Sequence, residues 1–185
     1  AEQSASVRAG EALGLGPEEQ LVVKDVITDG DGWTHVRYNR TFNGLRVIGG
    51  DLVSHRDQTG EIESVDWNSR KVAVASMTPK VTLASAKARS ATTGSAEQKT
   101  TSASKGEMVV YASGATPRLA YDVLTEGIKA DQTPSRLHTI VDATTGATLA
   151  TWDEVQTGTV HGIHVGTVTL GTTVGATLAL SLIHI

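Results

Sequence analysis

The sequence has no cysteine among its 185 residues, so neither a disulfide nor a thiolate metal site can hold this chain together. The compartment stays open on that ground. Aromatic residues are scarce, with three Trp, three Tyr and one Phe, so the core that a 39% apolar fraction can build is small and mostly Val, Leu and Ala. Burial alone still suffices, because a domain of about 150 residues hides roughly 70% of its unfolded surface. Lys and Arg do not cluster into a run and the formal net charge is -4, which excludes a nucleic-acid binder built on a basic patch. No stretch of 18 apolar residues occurs, so no helical membrane span is expected, and no signal peptide is read. Beginning at Ala1 without methionine, the chain is expected to be a piece of a longer precursor.

Reaction chemistry is missing as well. A zinc peptidase needs His-Glu-x-x-His on a helix and a further carboxylate, so that the metal can lower the pKa of its water. None is present. The six histidines are His35, His55, His138, His161, His164 and His184. Only His161 and His164 are near each other in sequence, and on a glycine-rich segment that spacing is a weak metal signal. Solvent-exposed histidines are the plainer reading. There is no Gly-x-Ser-x-Gly elbow, and Gly30-Asp31-Gly32 lacks the further glycine and helix of a phosphate loop. Asp29 and Asp31 have the spacing of a calcium loop, but Trp33 stands where an oxygen ligand is needed. Asn39-Arg40-Thr41 meets the N-glycosylation pattern inside an expected strand and reads as coincidence. The fragment is expected to be non-catalytic and to carry no cofactor of its own.

What the sequence does contain is strand patterning, most ordered over residues 33–55. Val36, Tyr38 and Phe42 fall on one face, Asn43-Gly44 supplies a hairpin turn, and Leu45, Val47 and Ile48 open the next strand. Gly49-Gly50 then allows two readings, a bulge that switches faces or a close approach by another chain's backbone. His35, Arg37, Arg40, Asp51 and His55 read as solvated sheet-face residues. Before this stretch, residues 4–15 suggest a short helix, and residues 21–28 a strand that turns at Asp29-Gly30-Asp31-Gly32. After it, residues 61–67 suggest a short bulged strand and residues 71–81 an extended segment. Residues 82–91 are a marginal small-residue helix capped by Thr82, and residues 92–106 read as a flexible linker. Strands are expected at 107–112, 118–125, 136–142 and 147–152, with Asp142 to Gly146 closing a tight hairpin.

The wording of two segments carries a resemblance. Arg40-Thr41-Phe42-Asn43-Gly44-Leu45-Arg46-Val47-Ile48-Gly49-Gly50-Asp51-Leu52-Val53-Ser54-His55 resembles the core motif of the fungalysin/thermolysin propeptide domain, with Arg46 where that family more often has proline. Leu119 to Val123 and Leu137 to Gly146, with Asp142 and Gly146, resemble the PepSY domain that follows it in secreted thermolysin-like zinc metalloproteases. The resemblance covers roughly residues 1–156. It implies an α+β fold of two antiparallel-sheet modules with short helices, a propeptide domain at 1–80 and a cystatin-like PepSY domain at 107–156, joined by 81–106. Residues 157–177 resemble the start of a mature protease domain, which places the maturation cut among Val155, Gln156, Thr157, Gly158, Thr159, Val160 and His161. Residues 178–185 fit neither part and read as a foreign tail. The implied function is a secreted bacterial propeptide that assists folding of its catalytic domain in cis and inhibits it until cleaved. Zinc would belong to that domain, and Trp152 to Thr159 would lie along its cleft. The alternative is a free-standing exported PepSY-type inhibitor or an envelope binding module.

Overall fold

The computed structural model describes residues 6, 9–67, 72–98, 100–162 and 166–173. The chain divides into two units. Unit 1 comprises Ala1–Thr82, Glu107–Tyr121 and Asp142–Gly146, and unit 2 comprises Leu83–Gly106, Asp122–Val141 and Ala147–Ile185. This division is interleaved, whereas the sequence reading set its modules in a row, with breaks after residues 80, 106 and 156. The physical reason is two long strands, Thr100–Tyr111 (β6) and Arg118–Ile128 (β7), each of which contributes residues to both units.

Unit 1 begins with β1 (Glu19–Thr28), β2 (Thr34–Phe42), β3 (Leu45–Ile48), β4 (Leu52–Arg56) and β5 (Ile62–Trp67). In β2 the alternation of the sequence becomes alternation of burial: Val36, Tyr38, Arg40 and Phe42 are buried while Arg37 and Asn39 are exposed. Asn43 and Gly44 both adopt positive φ, 48° and 78°, the type I′ geometry whose twist matches the strands it joins. β3 and β4 both run antiparallel to β2, with Phe42 opposite Leu45 and Tyr38 opposite Leu52. They are one strand broken at Gly49-Gly50.

The break frees the end of β3. Val47 and Ile48 leave β2 and pair in parallel with Val110 and Tyr111 of β6, a departure from the purely antiparallel modules expected. Gly49 has φ 77°, and a Cβ there would stand 2.0 Å from Ser113 Oγ and 2.8 Å from Ser113 N. A Cβ on Gly50 would meet Val47 Cγ1 at 2.5 Å. The bulge reading of the glycine pair therefore holds, and the backbone that comes close to Gly49 is this chain's own, at Ser113.

Among the described residues two hydrophobic clusters lie in unit 1. Ala9, Leu21, Val36, Tyr38 and Leu52 form one, and Phe42, Val47, Val72, Val110 and Ala112 the other. Arg40, read from sequence as solvated, is instead the largest fully buried side chain, ion-paired through Nη2 with Glu19 Oε1 of β1. Alternation put it on the inward face of β2, where a guanidinium is tolerated only with a carboxylate beside it.

Unit 2 contains α1 (Leu83–Glu97), β8 (Pro134–Asp142), β9 (Thr148–Asp153) and the hairpin of β10 (Val155–Gly162) with β11 (Gly166–Thr173). β7 lies between β6 and β8, and β9 pairs with β8. The expected linker at 92–106 is overturned: α1 continues to Glu97 and β6 starts at Thr100. Small residues that read as flexible are used here for close packing. Ala86, Ser90 and Gly94 form a buried stripe at helical spacing, and Gly106 meets Leu83 and Lys87 so closely that an added Cβ would lie 2.8 Å from Leu83 Cδ1. Tertiary contact supplies what helix propensity does not. The result is an antiparallel-rich α+β architecture.

Two substitutions separate backbone strain from packing. Gly44→Ala has open space around it and bears only the positive φ, a cost of about 1 kcal/mol. Gly49→Ala adds a clash with Ser113 to the same strain and costs at least ~3 kcal/mol. Denaturant unfolding of the two variants compares them directly; equal losses would refute the close approach.

Candidate functional site

The segment expected to contain the maturation cut is held by polar chemistry at its first residue. Asp153 ends β9, and its carboxylate collects four donors. Oδ1 accepts from Arg136 N at 3.0 Å and Val155 N at 2.9 Å. Oδ2 accepts from Ser135 Oγ at 2.7 Å and from Lys129 Nζ at 2.9 Å. The link runs on toward α1, because Gln98, just after that helix, donates Nε2 to Ser135 Oγ at 2.7 Å and to Thr125 O at 3.2 Å. Burial alone would raise the pKa of Asp153, but the bonds from Ser135, Lys129, Val155 and Arg136 outweigh it and bring it down to about 2. This carboxylate fixes where β9 stops and β10 starts.

Beside it lies a ladder of alternating charge across three strands. His138 of β8 sits between two carboxylates, Nδ1 at 2.7 Å from Asp122 Oδ1 of β7 and Nε2 at 2.8 Å from Glu154 Oε1. Both ring nitrogens face acceptors, so both must carry hydrogen and the ring is an imidazolium. Its pKa follows that geometry: burial pulls it down, and the bonds to Asp122 and Glu154 more than compensate, leaving it raised. Trp152, directly opposite on β9, stacks on the ring with centroids 4.8 Å apart and planes 3° from parallel, which favours the cation. Arg136 completes the ladder, donating Nε to Glu154 Oε2 at 2.7 Å and Nη1 to Glu126 Oε1 at 2.5 Å. The bond from Arg136, and then that from His138, holds Glu154 below its ordinary range.

Val155, Gln156, Thr157, Gly158, Thr159, Val160 and His161 all lie in β10, in register with β11 from Val155 opposite Thr173 to His161 opposite Thr167. His164, His184 and residues 174–185, the tail included, lie outside the described residues. Of the motif residues, Arg40, Gly44, Leu45, Gly49, Gly50 and the exposed Asp51 gather around the β2, β3 and β4 turns of unit 1. Asp142 accepts from Thr144 N at 2.7 Å and Thr145 N at 2.9 Å, and Gly146 has φ 74°, the Asx turn that the sequence reading expects.

The expectation of solvent-exposed histidines fails for three of them. His138 is 14% exposed in its ladder. His35 and His55, opposite each other on β2 and β4, bring their Nδ1 atoms to 2.7 Å. Each then bonds a carboxylate through Nε2, Asp29 at 2.9 Å and Asp66 at 3.1 Å. Residues 20 apart in sequence meet only through strand register, a signal that linear spacing does not contain. Among the described residues no group of three or more His, Asp or Glu is disposed to hold a metal.

The pKa shifts set opposite limits on this corner. Asp153 and Glu154 are depressed, so their contribution is present above the ordinary values of 3.8 and 4.5 and fades as pH falls through the folded ones. His138 is raised, so its contribution is complete below the ordinary 6.5 and is lost as pH rises through the folded value. Thermal stability therefore peaks between about pH 4.5 and 6.5. In His138→Gln the alkaline limb of the melting profile becomes shallower, while the acid limb keeps the part set by Asp153; an unchanged alkaline limb would remove His138 from this role.

Comparison with known proteins follows the same geography. Residues 19–67 match the Fungalysin/Thermolysin Propeptide Motif, a stretch that runs from the first residue of β1 to the last of β5. A transglutaminase-activating metalloprotease of Streptomyces mobaraensis is 42% identical over 166 residues, covering 87% of this chain and 22% of that protein. The chain thus spans about a fifth of the length of this curated relative. The solved Bacillus megaterium YpeB C-terminal domain aligns over 82% of this chain and 63% of that one, with 11% identity and a TM-score of 0.42, a likeness too low to fix the fold. The chain thus carries a Fungalysin/Thermolysin Propeptide Motif and, over most of its length, is similar to part of a metalloprotease.

Proposed function

We propose that the chain is the pro-region of a secreted bacterial zinc metalloendopeptidase, assisting the folding of its catalytic domain in cis and inhibiting it until cleavage among Val155 to His161. The observation that carries this reading is the propeptide motif across β1 to β5, in a chain 42% identical to part of a metalloprotease. Residues 107–156 serve as the PepSY-like part, and zinc belongs to the catalytic domain.

The physics makes one interface sufficient for both roles. A surface that binds the native enzyme lowers the free energy of its native-like state by mass action, and covalent linkage keeps the local concentration high. The same contact covers the cleft. Support for the position of that contact comes from Asp153, which ties down Val155 N at the first residue of β10. An extended backbone issuing from a fixed anchor is the form in which a peptide adds to the edge of a protease cleft.

The full chain, added in trans to the unfolded mature metalloprotease of the Streptomyces relative, is expected to raise the yield of refolded enzyme and to inhibit it at micromolar concentration. Failure of both effects would overturn the reading. Inhibition without folding assistance would favour the free-standing inhibitor instead. In the full-length precursor the N-terminus of the mature enzyme is expected between Val155 and His161, which N-terminal sequencing reads directly. A terminus far from that window would remove β10 as the maturation strand.

A further inference from the structure

The paired histidines of unit 1 have no part in the reading above. His35 and His55 face each other across β2 and β4, their ring centroids 4.9 Å apart and their planes at 68°. Their side chains are 28% and 25% exposed, so solvent reaches the pair. Each Nε2 is committed to a carboxylate, Asp29 Oδ2 or Asp66 Oδ2, and a carboxylate only accepts, so each Nε2 carries hydrogen. In the neutral tautomer this leaves both Nδ1 atoms as bare lone pairs, aimed at each other at 2.7 Å. Two lone pairs at that distance repel unless something positive stands between them.

We propose that the His35–His55 pair is a binding site for a divalent transition-metal ion on the exposed face of the β2–β4 sheet, with Nδ1 of each ring as ligand. The carboxylate on the far nitrogen of each ring is the arrangement found behind metal-ligating histidines, where it fixes the tautomer and makes the free nitrogen a better donor. Here it occurs twice, symmetrically, from a turn before β2 and from β5. The 2.7 Å separation is within the range of an N–H···N bond, so a hydrogen on one ring nitrogen can bridge the pair when no metal is bound. Two metal–nitrogen bonds of about 2.05 Å at the tetrahedral angle put the nitrogens about 3.3 Å apart. The gap must therefore open by about 0.6 Å from its 2.7 Å, which small rotations of two partly exposed rings supply. With two protein ligands, the remaining positions belong to water. Imidazole donors select Cu2+, Ni2+ or Zn2+ and reject the oxygen-seeking Ca2+ and Mg2+.

Calorimetric titration of the full chain with each metal alone tests this. One ion per chain is expected, tightest for Cu2+ in the usual order of first-row metals, and no heat from Mg2+ or Ca2+. His35→Gln and His55→Gln each abolish binding. Asp29→Asn and Asp66→Asn, which leave both ligands in place, weaken it about 10-fold or more. The His161→Gln/His164→Gln double variant binds as the parent does. Should a histidine variant fail to fold, Zn2+ titration of the 15N-labelled parent gives the same reading, with Nδ1 of both rings shifting and Nε2 not. Absence of binding, loss of binding in the His161/His164 variant, or metal-induced shifts confined to other histidines would each overturn the proposal.

Discussion

A buried guanidinium governs unit 1. Arg40 is fully enclosed, and the carboxylate that balances it comes from Glu19 at the first residue of β1. Removing one partner of such a pair costs about 3–5 kcal/mol, because the remaining charge stays buried. The pair thereby fixes the β1–β2 register, in which Leu21 lies opposite Arg40 and Glu19 opposite Phe42. The glycine break depends on the same side chain. A Cβ on Gly50 would come within 3.4 Å of Arg40 Cδ, so the residue that lets the second strand break also makes room for the arginine stem. Glu19, Arg40, Gly49 and Gly50 act as one constraint, and all four fall inside the stretch that matches the propeptide motif.

Unit 2 solves a different problem, that of ending one strand and starting another at a defined residue. Its solution is a chain of hydrogen bonds from Gln98 Nε2 through Ser135 to Asp153 and on to Val155 N. Because Asp153 is an ionised acceptor with four donors, each bond is of the stronger, charge-assisted kind. The adjacent ladder from Asp122 to Glu126 uses both imidazole nitrogens of His138, so it holds best when that ring is charged. A junction of this kind is held firmly at the start of β10 by Asp153 and responds to pH through His138.

The local rules were readable and the long-range ones were not. Asn43-Gly44 and the Asp142 to Gly146 turn are dictated by residues that tolerate positive φ or cap their own backbone, so sequence alone placed them. Residues 92–106 differ from expectation for an instructive reason: small residues signal flexibility in isolation, yet Gly94 lies on the buried stripe of α1 and Gly106 of β6 comes close against Leu83. Arg40 and the three buried or half-buried histidines failed likewise, because polarity suggests solvent until a carboxylate from another strand is brought alongside.

The sequence by itself determined strand alternation, turn positions, the absence of a zinc-peptidase motif and the resemblance to a propeptide, since each depends on residues within one or two turns of one another. The tertiary structure decided the interleaved units, the parallel β3–β6 pairing, the Glu19–Arg40 pair, the His35–His55 contact and the anchoring of Val155 by Asp153. The first four join residues 20 or more apart, as His35 and His55 are, and the last is completed by Ser135 and Arg136, 18 and 17 residues from Asp153. Register emerges only from packing the whole chain at once.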